Sequence, residues 1–170
     1  MEFSVGDKVM YPSRGAGKVT GMEHQELVDG FEHYYVIEIP GDRLTVRVPM
    51  RKTEDLGIRP VMSEAKLGRV LNVLGSKPLR LPKDYKERQG RIEEKLKTGR
   101  ALLLAEVIRD LTARERLAYL TKRDGDLLTQ GRDLLTSEIA MATDRETSDV
   151  NETIDAVLLA APAESEPHTA

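Results

Sequence analysis

The spacing of apolar residues changes once along this chain, near residue 60, and no single uniform layer of structure can satisfy both spacings. Up to about residue 50 the period is two. Phe3 and Val5, then Val9 and Tyr11, alternate with polar or small positions. Phe31, Tyr35, Ile37 and Ile39 share one parity, as do Leu44, Val46 and Val48. Side chains at i and i+2 lie on one face of a strand, so each run is a half-buried strand. Gly6-Asp7, Pro12 through Gly17, Asp29-Gly30 and Gly41-Asp42 supply the turns between them. Four or five short antiparallel strands in so few residues predict a small SH3- or Tudor-like β-barrel.

From residue 63 the period is helical. Ser63 can cap a helix whose Leu67, Val70, Leu71 and Leu74 form one stripe and which ends near Gly75. A second helix is expected from about Asp84 to Lys97, closed by Gly99. Leu104, Val107, Ile108 and Leu111 mark a third, running to about Arg116. Thr121 begins a turn, and Leu128, Leu135 and Ile139 mark a fourth. Val150, Ile154, Val157 and Leu158 mark a fifth, with Thr147 or Ser148 as its cap. The expected architecture is α+β in two domains: a β domain over 1–52, a linker over 53–62, a compact all-α domain of about five helices over 63–160, and a disordered tail over 161–170.

Composition narrows the function classes. No run of about eighteen apolar residues exists, so no helix is expected to span a membrane. MEFSVGDK lacks a basic region followed by an apolar core, so it does not read as a secretory signal. Zero cysteines exclude disulfides and thiolate zinc sites and fit a reducing compartment, which makes the cytoplasm the expected location. The formal net charge of −3 conceals an asymmetry. Residues 83–100 carry seven basic side chains against four acidic ones, whereas 141–170 carry seven acidic ones and only Arg145 as a base. A local basic patch bears on nucleic acid more than the total does.

Catalytic and ligand motifs are weak. GAGKVT at 15–20 lacks the first glycine of a phosphate loop, has Val19 where Ser or Thr should follow the lysine, and leads into a strand; a turn between strands is the better reading. His24 has carboxylates near it, but neighbours along a strand face opposite sides. His33 is in phase with Phe31 and Tyr35, which suggests a half-buried structural histidine. Neither serine context nor carboxylate spacing resembles an acid–base or nucleophilic site. No enzyme activity, cofactor or metal is expected.

Surfaces remain. In LTVRVP at 44–49, inward Leu44, Val46 and Val48 leave Thr45 and Arg47 pointing out. Such an arginine serves either as a contact for a partner protein or as a guard against edge-to-edge aggregation. In KPLRLPKDYKERQGR at 77–91, Tyr85 sits in the first helical turn beside Lys83, Lys86 and Arg88. One reading makes Tyr85 extend the buried stripe of Ile92 and Leu96. The other makes it a wedge for a base step, at a helix end whose free N–H groups attract phosphate.

MEFSVGDKVMYPSRGAGKVTGMEH, together with LTVRVP and with GIR at 57–59, resembles the N-terminal domain of the CarD/CdnL family of bacterial transcription regulators, a domain shared with transcription-repair coupling factors. LP-x-x-aromatic at 81–85, AEVIRDL at 105–111 and GRDLLTSEIA at 131–140 extend the resemblance over roughly residues 1–160. It implies that the β domain binds the RNA polymerase β subunit, with Arg47, Thr45 and Gln25 at the contact. It further implies that the helical domain stabilises the open promoter complex, ribosomal RNA promoters included. There Tyr85 would enter the minor groove at the upstream edge of the bubble, with Lys86, Arg88, Lys122 and Arg123 holding phosphates. A monomer in the cytoplasm, associated with the nucleoid through polymerase, is the implied state. The chain departs from the family at several points: the wedge is usually tryptophan, Gln25 replaces a basic residue, Gly90 and Gly125 replace lysines, and Glu87 replaces a base. Those losses leave open an adaptor that binds polymerase without touching DNA.

Overall fold

The computed structural model describes residues 2–28 and 30–162, apart from the side chains of 25–28, 31 and 32. Five antiparallel strands, β1 (Lys8–Tyr11), β2 (Gly15–Val28), β3 (Phe31–Ile39), β4 (Leu44–Pro49) and β5 (Arg59–Pro60), form one sheet in the order β4-β3-β2-β1-β5. The β2–β3 ladder shifts register between Val19 and Gly21 and again between His24 and Val28. Such bulges bend a strand and increase its twist. Phe3, Val9, Val19, Tyr35, Ile37, Ile39, Val48 and Ile58 bury together as the core of this Tudor-like unit. Five helices follow: α1 (Glu64–Leu74), α2 (Tyr85–Thr98), α3 (Ala101–Leu117), α4 (Lys122–Thr143) and α5 (Thr147–Ala160). The α+β order expected from the change of period is therefore the one observed.

Local chemistry sets most helix ends. The Ser63 side chain accepts from the Lys66 amide, and Asp84 accepts from the Glu87 amide. Thr121 is more than the start of a turn: it forms a reciprocal capping box with Asp124. At α5 the expectation fails. Glu146 occupies the cap position without a side-chain hydrogen bond, and Thr147 and Ser148 are already helical. Other differences lie in the sheet. Val5 is 61% exposed and precedes the first strand. GAGKVT is the opening of β2, the turn lying before it at Pro12–Arg14, where the Arg14 amide bonds the Tyr11 carbonyl at 3.0 Å. Of the tail expected from 161, residues 163–170 lie outside the described residues.

The stretch expected as a linker, 53–62, is built into the fold. Thr53 and Ile58 are buried, Arg59 and Pro60 pair with Met10 and Val9 of β1, and Met62 belongs to the helical core. β1 is consequently buried on both faces. Val9 enters the sheet core while Met10, together with Ala16 of β2, packs among the helices.

Polar contacts join the two halves as well. Glu138 of α4, fully buried, accepts from Arg59 Nη1 and Nη2 at 2.7 Å each and from the Met62 amide at 2.8 Å. Arg59 Nη2 also donates to the Gly99 carbonyl at 2.9 Å. Lys8 reaches Asp144 beyond the end of α4 at 2.8 Å, and the Ala16 amide donates to Ser137 Oγ at 3.1 Å. At Gly99 (φ +61°) Pro12 sits so close that a Cβ would lie 2.5 Å from it. These contacts set the orientation of the helices on the sheet.

Candidate functional site

The amino ends of α2 and α4 lie side by side, joined by a buried ion pair between residues 36 apart in sequence. Arg88 Nε and Nη2 donate to Asp124 Oδ1 and Oδ2 at 3.1 and 2.9 Å. The two side chains are 2% and 0% exposed. The remaining guanidinium nitrogen, Nη1, donates to the carbonyls of Pro82 and Lys83 at 3.1 and 3.0 Å. Gln89 Nε2 donates to Thr121 Oγ1 and Asp124 Oδ1 at 3.1 and 3.2 Å. Burial alone would raise the Asp124 carboxyl. Hydrogen bonds from Arg88, the Thr121 amide, Gln89 and the Thr121 side chain outweigh it and hold the pKa down to about 2.

Arg88 therefore cannot hold a phosphate as expected. Its fork is filled by Asp124 and two carbonyls, and exposing it would strand a buried carboxylate. Thr121-x-x-Asp124 is a capping-box pattern that places a carboxylate at the α4 end, but nothing local to Arg88 marks it as the partner of that carboxylate.

Tyr85 is the first residue of α2 and is 53% exposed, while Ile92 and Leu96 further along the helix are buried. The reading in which Tyr85 extends the core stripe is thereby overturned. Lys83 and Lys86 beside it, and Lys122 at the start of α4, are exposed and make no ion pair among the described residues. Arg123 is half-exposed and pairs with Glu93 at 2.9 Å, a surface contact of the kind that contributes little to stability. Glu87 is turned along α2 toward Arg91 at 2.7 Å. One exposed aromatic escaped the sequence reading: Tyr119, 90% exposed, two residues before the Thr121 cap. Its only signal was being one of seven aromatics and lying outside any periodic stripe.

On the sheet, β4 is an edge strand, with Thr45 and Arg47 exposed and Val48 buried, as the parity of LTVRVP requires. Arg47 Nε pairs across β3 with Glu23 Oε2 of β2 at 2.7 Å, and the carboxylate raises the guanidinium pKa further. Gln25 lies in β2, with its side chain outside the described residues. His33, expected to be half-buried, is exposed; it stacks on exposed His24 at 4.5 Å between ring centroids. No group of three or more potential metal-ligating His, Cys, Asp or Glu side chains exists among the described residues. Within them, no helix is long and apolar enough to cross a membrane.

A Tudor-like sheet fused to a five-helix body, with exposed cations around an exposed tyrosine, describes a class of binding protein. Residues 3–62 match the family model described as the CarD-like/TRCF RID domain. Residues 69–155 match that of the CarD C-terminal domain. The chain belongs to the CarD family and is a transcription-associated protein. It is 31% identical over 139 residues to "Putative transcription factor YdeB" of Bacillus subtilis (strain 168), covering 81% of this chain and 90% of that one.

Proposed function

We propose that this chain binds the RNA polymerase β subunit through the outer face of its sheet and stabilises the open promoter complex through Tyr85. Arg47 and Thr45 on β4, with Gln25 on β2, form the polymerase contact. Tyr85 enters the minor groove at the upstream edge of the bubble and stacks on a base step. Lys86, Lys122 and Arg123 hold the flanking phosphates. Ribosomal RNA promoters are among the targets, and the chain acts as a cytoplasmic monomer, associated with the nucleoid through polymerase and without enzymatic activity. The observation that carries the reading is an exposed aromatic at the amino end of α2, beside Lys83, Lys86 and Lys122, which are exposed and have no ion-pair partner among the described residues. An adaptor without DNA contact is the second reading. It is favoured by Gly90 and Gly125, which give the patch no charge, and by the burial of Arg88.

Open-complex lifetime separates the two. Tyr85→Ala should shorten it several-fold while leaving polymerase affinity unchanged, since stacking on an aromatic contributes roughly 1–3 kcal/mol per base. Equal lifetimes for both proteins, with no footprint added at the upstream bubble edge, would leave the adaptor reading standing.

A further inference from the structure

A wedge works only if its ring is held in place, and Tyr85 is not anchored in the buried core. It is half in solvent and stands in the first turn of its helix, where amide groups lack intrahelical partners and the chain tends to fray. Its position must come from the backbone on either side. On one side that backbone is Pro82 and Lys83, whose carbonyls both accept from Arg88. On the other side it is Arg88 itself, three residues further along the same turn, anchored by two bonds to a carboxylate on a different helix.

We propose that Arg88 is the positioning residue for Tyr85: it clamps the approach to α2 and the first turn of α2 onto Asp124, so that the aromatic ring is presented in one fixed pose. This inference rests on the wedge reading for its functional consequence, while the clamp is a property of the protein alone. A buried ion pair is an inefficient way to stabilise a fold, since apolar residues of the same volume often do as well. What it supplies is direction. The planar guanidinium addresses four acceptors at set angles, and a lysine carrying the same charge has no such fork. Gln89, next to Arg88 on α2, donates to the same carboxylate, and the Thr121 amide bonds it within the capping box, so Asp124 is held from its own helix end as well as from α2. The same clamp ties the Tyr85 end of α2 to the α4 end that carries Lys122 and Arg123. Ring and cations then move as one body.

The chain contains no tryptophan, so Tyr85→Trp places a single fluorophore at the wedge. Time-resolved anisotropy of that indole, in the protein alone and well below each variant's melting temperature, should show little independent motion. Adding Arg88→Lys, or Asp124→Asn if the first variant folds poorly, should release a fast component of large amplitude. Arg132→Lys weakens a distant contact between α4 and α5 and should leave the indole as ordered as before. With Tyr85 in place, Arg88→Lys should shorten the open-complex lifetime several-fold, close to the effect of Tyr85→Ala. Adding Arg88→Lys to Tyr85→Ala should shorten it no further. An indole equally ordered in both clamp variants would overturn the proposal. So would multiplying effects of Arg88 and Tyr85 on the lifetime, because Arg88 would then act independently of the ring. A Tyr85→Ala protein with an unchanged lifetime would sink the wedge reading instead, and the anisotropy would still decide the clamp.

Discussion

Replacing Glu138 with alanine tests how the helices are held to the sheet. The carboxylate is fully buried and accepts three hydrogen bonds, two from the Arg59 fork at 2.7 Å and one from the Met62 amide at 2.8 Å. Alanine leaves a guanidinium without its counter-charge and a buried amide without an acceptor. Breaking a buried pair from one side costs about 3–5 kcal/mol. Arg59 is 30% exposed and keeps its bond to the Gly99 carbonyl, so water recovers part of its loss and the lower end applies. The orphaned amide offsets some of that recovery, which leaves about 3 kcal/mol. For a chain of this size each kcal/mol lowers the melting temperature by about 2–4 °C, so Glu138→Ala should melt roughly 6–12 °C lower. Circular dichroism melting measures it directly. Replacing Arg59 and Glu138 together with methionine should recover part of the loss, because no charge is then stranded although the Met62 amide still lacks its acceptor. A Glu138→Ala melt within about 2 °C of the parent would refute the reasoning and mean that apolar packing alone sets the interface.

Three other outcomes are expected. Asp124 has a folded pKa of about 2, below its ordinary 3.8, so its contribution is present above pH 4 and is lost as pH falls through about 2. Acid unfolding of Asp124→Asn should therefore lack roughly 2 kcal/mol of pH dependence in that window, read from urea titrations at each pH. Gly99→Ala should lose at least about 1 kcal/mol, from the left-handed backbone and the 2.5 Å approach of Pro12, and a protein of unchanged melting temperature would contradict the contact. Arg47→Glu places like charge beside Glu23 and removes the outward cation of β4, so polymerase co-purification should fall by roughly 1–3 kcal/mol in affinity while the melt moves little.

The amino-acid sequence alone determined those features that depend on near neighbours. The change of period at residue 60 separated sheet from helices, because burial on one face imposes a spacing of two on a strand and of about 3.6 on a helix. Ser63 with Gly75, and Asp84 with Gly99, bounded α1 and α2, because a cap bonds amides only two or three residues away. Outward Arg47 followed from strand parity in the same way. Tertiary structure decided what depends on residues distant in sequence. Arg88 has the same local charge pattern as Lys86, and only the arrival of Asp124 from 36 residues away makes one a buried clamp and leaves the other in solvent. Met10 reads as an outward position of β1 until helices cover that face. Arg59 and Glu138 stand 79 residues apart, and neither carries a mark of its partner in the surrounding sequence. Charge pairing is non-directional along the chain, so a cation's role is set by which carboxylate the fold brings within hydrogen-bonding distance.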